Sequence, residues 1–240
     1  MKNLSFLLLI ILVLTKTNSF AQQVKNVLIF SKTTGFRHSS MPKGVRVVTN
    51  LLAEQGIKSF HTEDAAYFCR DSLRNYAAVL FLSTTGDIFT AEQKVAFQDF
   101  IRAGNGYVGI HAASDTEFNW PWYGQLVGGY FSSHPSVQEA KIDVKNRKHP
   151  STAHLQNVWF HKDEWYDFKD VKEGLNILMT LDENSYKGGK MGKFHPIAWF
   201  QEFDGGRSFY TGLGHTEESF DSFDFQKHIV GGVKYVLKLN

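Results

Sequence analysis

The chain has one cysteine, Cys69, among 240 residues. That excludes an internal disulfide framework and a cysteine-rich zinc site. Prolines number five, and no proline-rich tract, internal repeat or low-complexity segment divides the chain, so no linker is expected. Net charge is small: 26 Lys and Arg stand against 24 Asp and Glu. Lys2 and Lys16 lie in a segment expected to be removed, which leaves 24 of each sign. A near-neutral chain has no electrostatic basis for holding nucleic acid or an anionic membrane. No Walker-type phosphate loop appears, so a nucleotide cofactor is unsupported. Beyond the first twenty-odd residues no apolar run is long enough to span a bilayer. What is plentiful is aromatic: 15% of residues, with 21 Phe. That surplus suits a heavy core or a sugar-stacking cleft. The remaining composition, 42% hydrophobic and 21% charged, is that of a globular chain.

Residues 1–21 read as an address. Phe6–Leu14 is an unbroken apolar run after Lys2, too short for a bilayer and suited to a signal-peptide core. Ser19-Phe20-Ala21 supplies small residues for cleavage after Ala21. Export, to a periplasm, is therefore expected, without a membrane anchor after cleavage. Residues 22–240 are then expected to form a single domain.

The mature chain alternates strand and helix patterns. Val24–Ser31, Tyr76–Ser83 and Tyr107–Ile110 are apolar runs that read as buried strands. Ile57–Thr62 reads as another. Between them, Val45, Val48, Leu51 and Leu52 recur at helical spacing after Pro42, with Ser39 or Ser40 as candidate caps. Val95, Phe97, Phe100 and Ile101 mark a second helix, opened by a Thr90/Gln93 capping box. Val137–Val144, Asn176–Thr180, Pro196–Phe200 and Arg207–Thr211 read as later strands, and Phe225–Leu239 as a closing helix. The fold class is α/β, with a mostly parallel sheet and helices on both faces. In such sheets ligands bind beyond the carboxyl ends of the strands. The loops Thr34–Ser40, Thr84–Asp87 and His111–Asp115 are the places to look for chemistry.

Gly109-Ile110-His111-Ala112-Ala113 is the sharpest local feature. A central residue flanked by small ones at the end of a strand copies the spacing of a nucleophile elbow. Histidine stands where serine or cysteine would be, so a general base, a metal ligand, a substrate hydrogen-bonder and a structural turn all remain open. Asp115 lies one helical turn further on.

With these residues the chain resembles the trehalose-utilisation (ThuA-like) family. The resemblance runs from Val27 to about Leu237. It rests on Gly35-Phe36-Arg37-His38, Thr85-Gly86-Asp87, Gly109 to Asp115, Gly128-Gly129-Tyr130-Phe131 with Ser133-His134-Pro135, Asp163-Glu164-Trp165-Tyr166, His195 to Trp199, and Gly212-Leu213-Gly214-His215. It implies a three-layer class I glutamine amidotransferase-like fold of flavodoxin-like kind. It also implies that glutamine hydrolysis is lost, because His111 occupies the position of the nucleophilic cysteine. The family's link to sugar catabolism implies a small carbohydrate as partner.

His38, His111, His134, His195 and His215 all fall in those blocks, with Asp87, Asp115, Asp163 and Glu164. Imidazoles and carboxylates in one cleft suit either acid–base chemistry on a sugar or a divalent metal such as zinc. His111, Asp115, Glu164 and His215 are the expected catalytic set, and His38, His111 and His215 the candidate metal ligands. Arg37, His38, Asp87, His134, Asp163, Trp165 and His195 are expected to bind substrate. Trp120, Trp122 and Tyr123 read either as subsite walls or as helix packing. Structural roles are expected for His61, His149, His154, His161 and His228. The reaction reads as isomerisation, epimerisation, elimination or hydrolysis of a disaccharide or keto-sugar. A non-catalytic carbohydrate-binding protein and a metal-dependent hydrolase are the alternatives. No cofactor is certain, and a homo-oligomer is compatible.

Overall fold

The computed structural model describes residues 25–239. The expected signal segment lies outside the described residues. Strand β1 (Asn26–Phe30), helix α1 (Met41–Glu54) and strand β2 (Lys58–Thr62) come first. Helix α2 (Arg70–Leu73), strand β3 (Ala78–Leu82), helix α3 (Ala91–Arg102) and strand β4 (Gly106–Ile110) come next. Then come α4 (Pro121–Val127), β5 (Tyr130–Ser133), β6 (Gln138–Val144), β7 (Val158–Asp163) and β8 (Asp167–Lys169). The chain closes with β9 (Asn176–Leu181), β10 (His195–Phe203), β11 (Gly206–Thr211) and α5 (Phe223–Val236).

Nine strands form one sheet in the order β2-β1-β3-β4-β11-β10-β9-β6-β7. The first five are mutually parallel. β3 and β4 are buried at every residue and β1 at all but its first, as strands covered on both faces must be. Crossovers run in opposite directions from β1 to β2 and from β3 to β4. Right-handed connections therefore put α1 and α3 on opposite faces, and α5 packs beside α1. The strand reversal between β1 and β3 is a flavodoxin-like switch point, where such sheets hold ligands.

The second half departs from the parallel pattern. From β11 outward, β10, β9, β6 and β7 pair antiparallel and extend the sheet as a wing. β5 and β8 make a separate two-stranded ribbon. β5, β7 and β8 were not expected from the sequence. β5 and β8 are short, and β7 alternates exposed and buried residues with Phe160 on its exposed side.

Local signals explain the helix starts. Thr90 and Gln93 form the reciprocal capping box at α3. Ser40 stands at the N-cap of α1, but its hydroxyl donates to the Gly214 carbonyl instead of capping. That bond ties the start of α1 to the loop after β11. Gly104-Asn105-Gly106-Tyr107-Val108-Gly109 spells G-x-G-x-x-G, but it runs from the end of α3 into β4. A dinucleotide fingerprint runs the other way, from strand to helix.

Much of the aromatic surplus is core. Phe30, Phe68, Phe81, Phe89 and Phe97 pack ring on ring. Trp120 stacks on Trp122, whose indole donates to Asp204, and Tyr123 is fully buried. These three serve packing. His61, His149, His154, His161 and His228 each hydrogen-bond a serine hydroxyl or a backbone carbonyl. No helix among the described residues is long and apolar enough to cross a membrane.

Candidate active site and metal centre

The site begins at the end of β4. His111 adopts φ 52°, a left-handed conformation that side-chain-bearing residues adopt only when the surroundings enforce it. A Cβ at Gly109 would lie 2.9 Å from the Tyr107 hydroxyl and 3.2 Å from Ala113, so small neighbours are a steric requirement of the turn. The chain then makes a single 3-10 turn, His111–Ser114, rather than a long helix. The Tyr210 hydroxyl donates to the His111 carbonyl at 2.8 Å and fixes the bend. His111 Nδ1 donates to the Gly212 carbonyl at 2.9 Å. That makes Nδ1 a donor and aims Nε2 into the site.

Three other loops bring groups to that nitrogen. His38, after β1, places Nε2 at 3.1 Å. His215, after β11, places Nδ1 at 3.2 Å. Glu164, directly after β7, sets Oε2 at 3.0 Å from His215 Nδ1 and 3.6 Å from His111 Nε2. Glu164 Oε1 meets His134 Nδ1 at 2.9 Å on the exposed rim. His38, His111 and Glu164 are buried and His215 half-buried.

Charge at the site reflects burial and these neighbours. Burial pushes His38 down to about 3, aided by His111 and His215, so it stays neutral. Burial opposes ionisation of Glu164, but the facing His111 and His215 outweigh it and hold the carboxyl at about 2. His215 is raised: burial lowers it, and Glu164 more than compensates. Burial lifts Asp115 to about 6 against the pull of His111 and Lys169. No hydrogen bond among the described residues reaches the Asp115 carboxylate.

One anionic oxygen and three imidazole nitrogens thus converge. Ligands held tetrahedrally at about 2.0–2.1 Å stand roughly 3.3 Å from one another; His111 Nε2 lies 3.1–3.6 Å from the other three donors, and His215 Nδ1 3.0 Å from Glu164. A second group, Asp167, Glu183 and His195, is also close-set, but protein partners already engage it. His195 Nδ1 meets Glu183 at 2.8 Å and Tyr186 at 3.0 Å, while Nε2 meets the Tyr166 carbonyl at 2.8 Å. Asp167 accepts from Lys190 N and the Ser133 hydroxyl.

Several expected substrate-binding residues lie elsewhere. Asp163 is fully buried and accepts from the backbone N–H groups of Gly214 and His215 at 2.7 and 3.1 Å and from the Ser219 hydroxyl at 2.8 Å. It holds the loop that carries His215 and touches no solvent. Adjacent residues in an extended segment point apart, so Glu164 faces the site and Asp163 the loop. Asp163→Ala would strand these donors in the interior, at about 1–3 kcal/mol each. A stability loss of at least about 3 kcal/mol is expected in urea unfolding, and an unchanged midpoint would contradict this role. Trp165 is fully buried and its indole donates to the Gln138 carbonyl, so it is core. His195 is sealed off in the second group. Arg37 is exposed and forms a two-pronged ion pair with Glu63 at 2.7 and 3.0 Å. The Asp87 side chain is exposed and makes no contact with the histidines among the described hydrogen bonds.

Tyr166, whose sequence context suits stacking and packing equally, stands at the site. Its ring lies 4.3 Å from that of His111, and its hydroxyl 3.5 Å from His38 Nε2. Its spacing of two from Glu164 was the available signal, because such residues share a face of an extended segment.

No curated protein matches the chain. Among solved structures, a ThuA-like protein from Bacteroides uniformis is similar at 22% identity and TM-score 0.76, covering 92% of this chain and 95% of that one. A ThuA-like protein from Parabacteroides merdae is similar at 19% identity and TM-score 0.75, covering 90% of each. A beta-galactosidase from Bacillus circulans sp. alkalophilus shares the fold at 12% identity and TM-score 0.60, over 90% of this chain and 31% of that one. Residues 26–236 match the trehalose utilisation (ThuA) family, and the chain belongs to that family.

Proposed function

We propose that this ThuA-family chain is an exported enzyme of carbohydrate catabolism, performing acid–base chemistry on a disaccharide or keto-sugar at a divalent-metal centre. The observation that carries this reading is the convergence of His38 Nε2, His111 Nε2, His215 Nδ1 and Glu164 Oε2 from four separate loops. Three imidazoles and one carboxylate suit zinc or a similar borderline ion. Held by these four groups, such an ion would take a sugar hydroxyl or carbonyl oxygen as a fifth ligand, and polarising that oxygen is the chemistry it would supply. The protein supplies the proton chemistry. Asp115 offers a half-buried carboxyl with no hydrogen-bond partner among the described residues, four residues past the elbow, and His134 offers an imidazole at the rim. Export rests on the signal-like pattern of residues 1–21.

The test is proton NMR in heavy water with zinc-loaded protein, residues 22–240, and a panel containing trehalose, other disaccharides and their keto derivatives. Exchange beside a carbonyl, or new sugar signals, is expected and should disappear in His111→Ala. A histidine in the nucleophile position also fits a carbohydrate-binding protein without turnover. Line broadening with neither exchange nor product would favour that second reading. A protein holding no divalent ion after exposure to zinc would remove the metal centre.

A further inference from the structure

Among the described residues the Tyr166 hydroxyl makes a single long polar contact, to His38 Nε2. Its ring is wedged between Phe131 and His111, at 4.3 Å from each, and the residue is 2% exposed. The one hydrogen-bond partner of the hydroxyl among the described residues is His38 Nε2 at 3.5 Å, already beyond good hydrogen-bond distance. That nitrogen is also committed elsewhere. His111 Nδ1 donates to the Gly212 carbonyl, so its Nε2 is the ring atom facing the site. His38 Nε2 stands 3.1 Å from it. Two lone pairs do not face each other at that distance without a positive charge between them. The two nitrogens therefore share either one proton, carried by one ring and accepted by the other, or one cation. In neither state does His38 Nε2 retain a lone pair for the tyrosine.

A phenol, with an ordinary value of about 10, keeps its proton at neutral pH. A buried donor left unpaired is costly, and such groups in native structures call for an explanation. Ring contacts with Phe131 and His111 hold this donor in place. The Tyr166 carbonyl is further anchored by His195 Nε2 at 2.8 Å. We infer that the Tyr166 hydroxyl donates a hydrogen bond to an oxygen of the molecule bound against the histidine cluster. The acceptor class is a carbonyl, carboxylate or developing alkoxide oxygen, the kind a preorganised donor stabilises most. The inference rests on the metal-centre reading above. It makes Tyr166 a ligand-binding residue rather than an ion ligand.

The test uses cobalt(II) in place of the ion and acetate as an oxygen-acceptor probe, both monitored in the visible cobalt bands. Tyr166→Phe removes the hydroxyl and leaves the ring packing. Cobalt affinity should be unchanged, while acetate should bind about tenfold more weakly, the loss expected for a hydrogen bond to a charged oxygen. Equal cobalt uptake with equal acetate affinity in the two proteins would overturn the role of Tyr166 and leave the metal centre standing. A wild-type protein that takes up no cobalt would overturn the metal centre and this inference together. The two titrations are read separately, so the failures are distinct.

Discussion

His111→Asn is expected to lower divalent-metal affinity by well over 100-fold and to abolish turnover with it. Loss of an outer partner of a metal ligand already costs about 10–100-fold, and in the proposed metal centre His111 would be the central ligand. Its Nε2 is the atom from which the His38, His215 and Glu164 groups are all within 3.1 to 3.6 Å. Asparagine is the informative replacement because it tolerates the left-handed backbone at φ 52°, whereas alanine adds backbone strain to the loss of the ring. Glu164→Gln should behave similarly, since it removes the one anionic ligand while preserving shape. Zinc titration by calorimetry, at matched circular dichroism, reads both. Stoichiometric zinc at wild-type affinity in His111→Asn would sink the assignment.

Acid is expected to destabilise the fold by about 5 kcal/mol between pH 6.5 and 4.5 through His149 and His228 alone. Both are buried, His228 completely. Burial pushes them down to about 4 and about 3. An unfolded histidine titrates near 6.5, so unfolding takes up a proton that the folded state refuses. Their contribution is therefore complete above about pH 6.5 and is lost as pH falls toward 4 and 3, at about 1.4 kcal/mol per pH unit for each ring. His228 donates through Nδ1 to the Ser151 carbonyl, and His228→Asn can keep that bond with a group that does not titrate. Urea midpoints taken across this range in the presence of a chelator should show a slope shallower by about 1.4 kcal/mol per pH unit in the variant. Parallel slopes would mean that His228 is not neutral in the folded protein.

What could be read in advance divides along a physical line. β1, β3, β4 and the Thr90 cap were legible because their causes are local: unbroken apolar runs, and a hydroxyl three residues from its partner. The bend at His111 was legible because the small residues it needs are adjacent. His38, His111 and His215 sit on loops after parallel strands, so topology alone sends them to one end of the sheet. Glu164 and Tyr166 were seen but not separated from their neighbours. Asp163 and Trp165 are close to the chemistry in sequence, but their partners are not local: Gly214 lies 51 residues from Asp163, and Gln138 lies 27 from Trp165. His195 is likewise removed from the site by Glu183 and Tyr186, which no motif connects to it. Arg37 meets Glu63 across the top of neighbouring strands, a pairing that depends on strand order.

The antiparallel wing has a consequence beyond its own pairing. β7 is the outermost strand of the sheet, nominally four places from β11, yet its last residue grips the loop after β11 and the next residue completes the histidine cluster. The far margin of the sheet is thus curled back onto its middle and fastened there. His38 and His111 are 73 residues apart in the chain, and His111 and His215 104. Closing such loops is entropically unfavourable until the strands between them are paired. The cluster therefore depends on the pairing of the strands that lie between its members. An ion seated there would act as a rivet between the parallel half and the wing, and its release would register the first parting of the two.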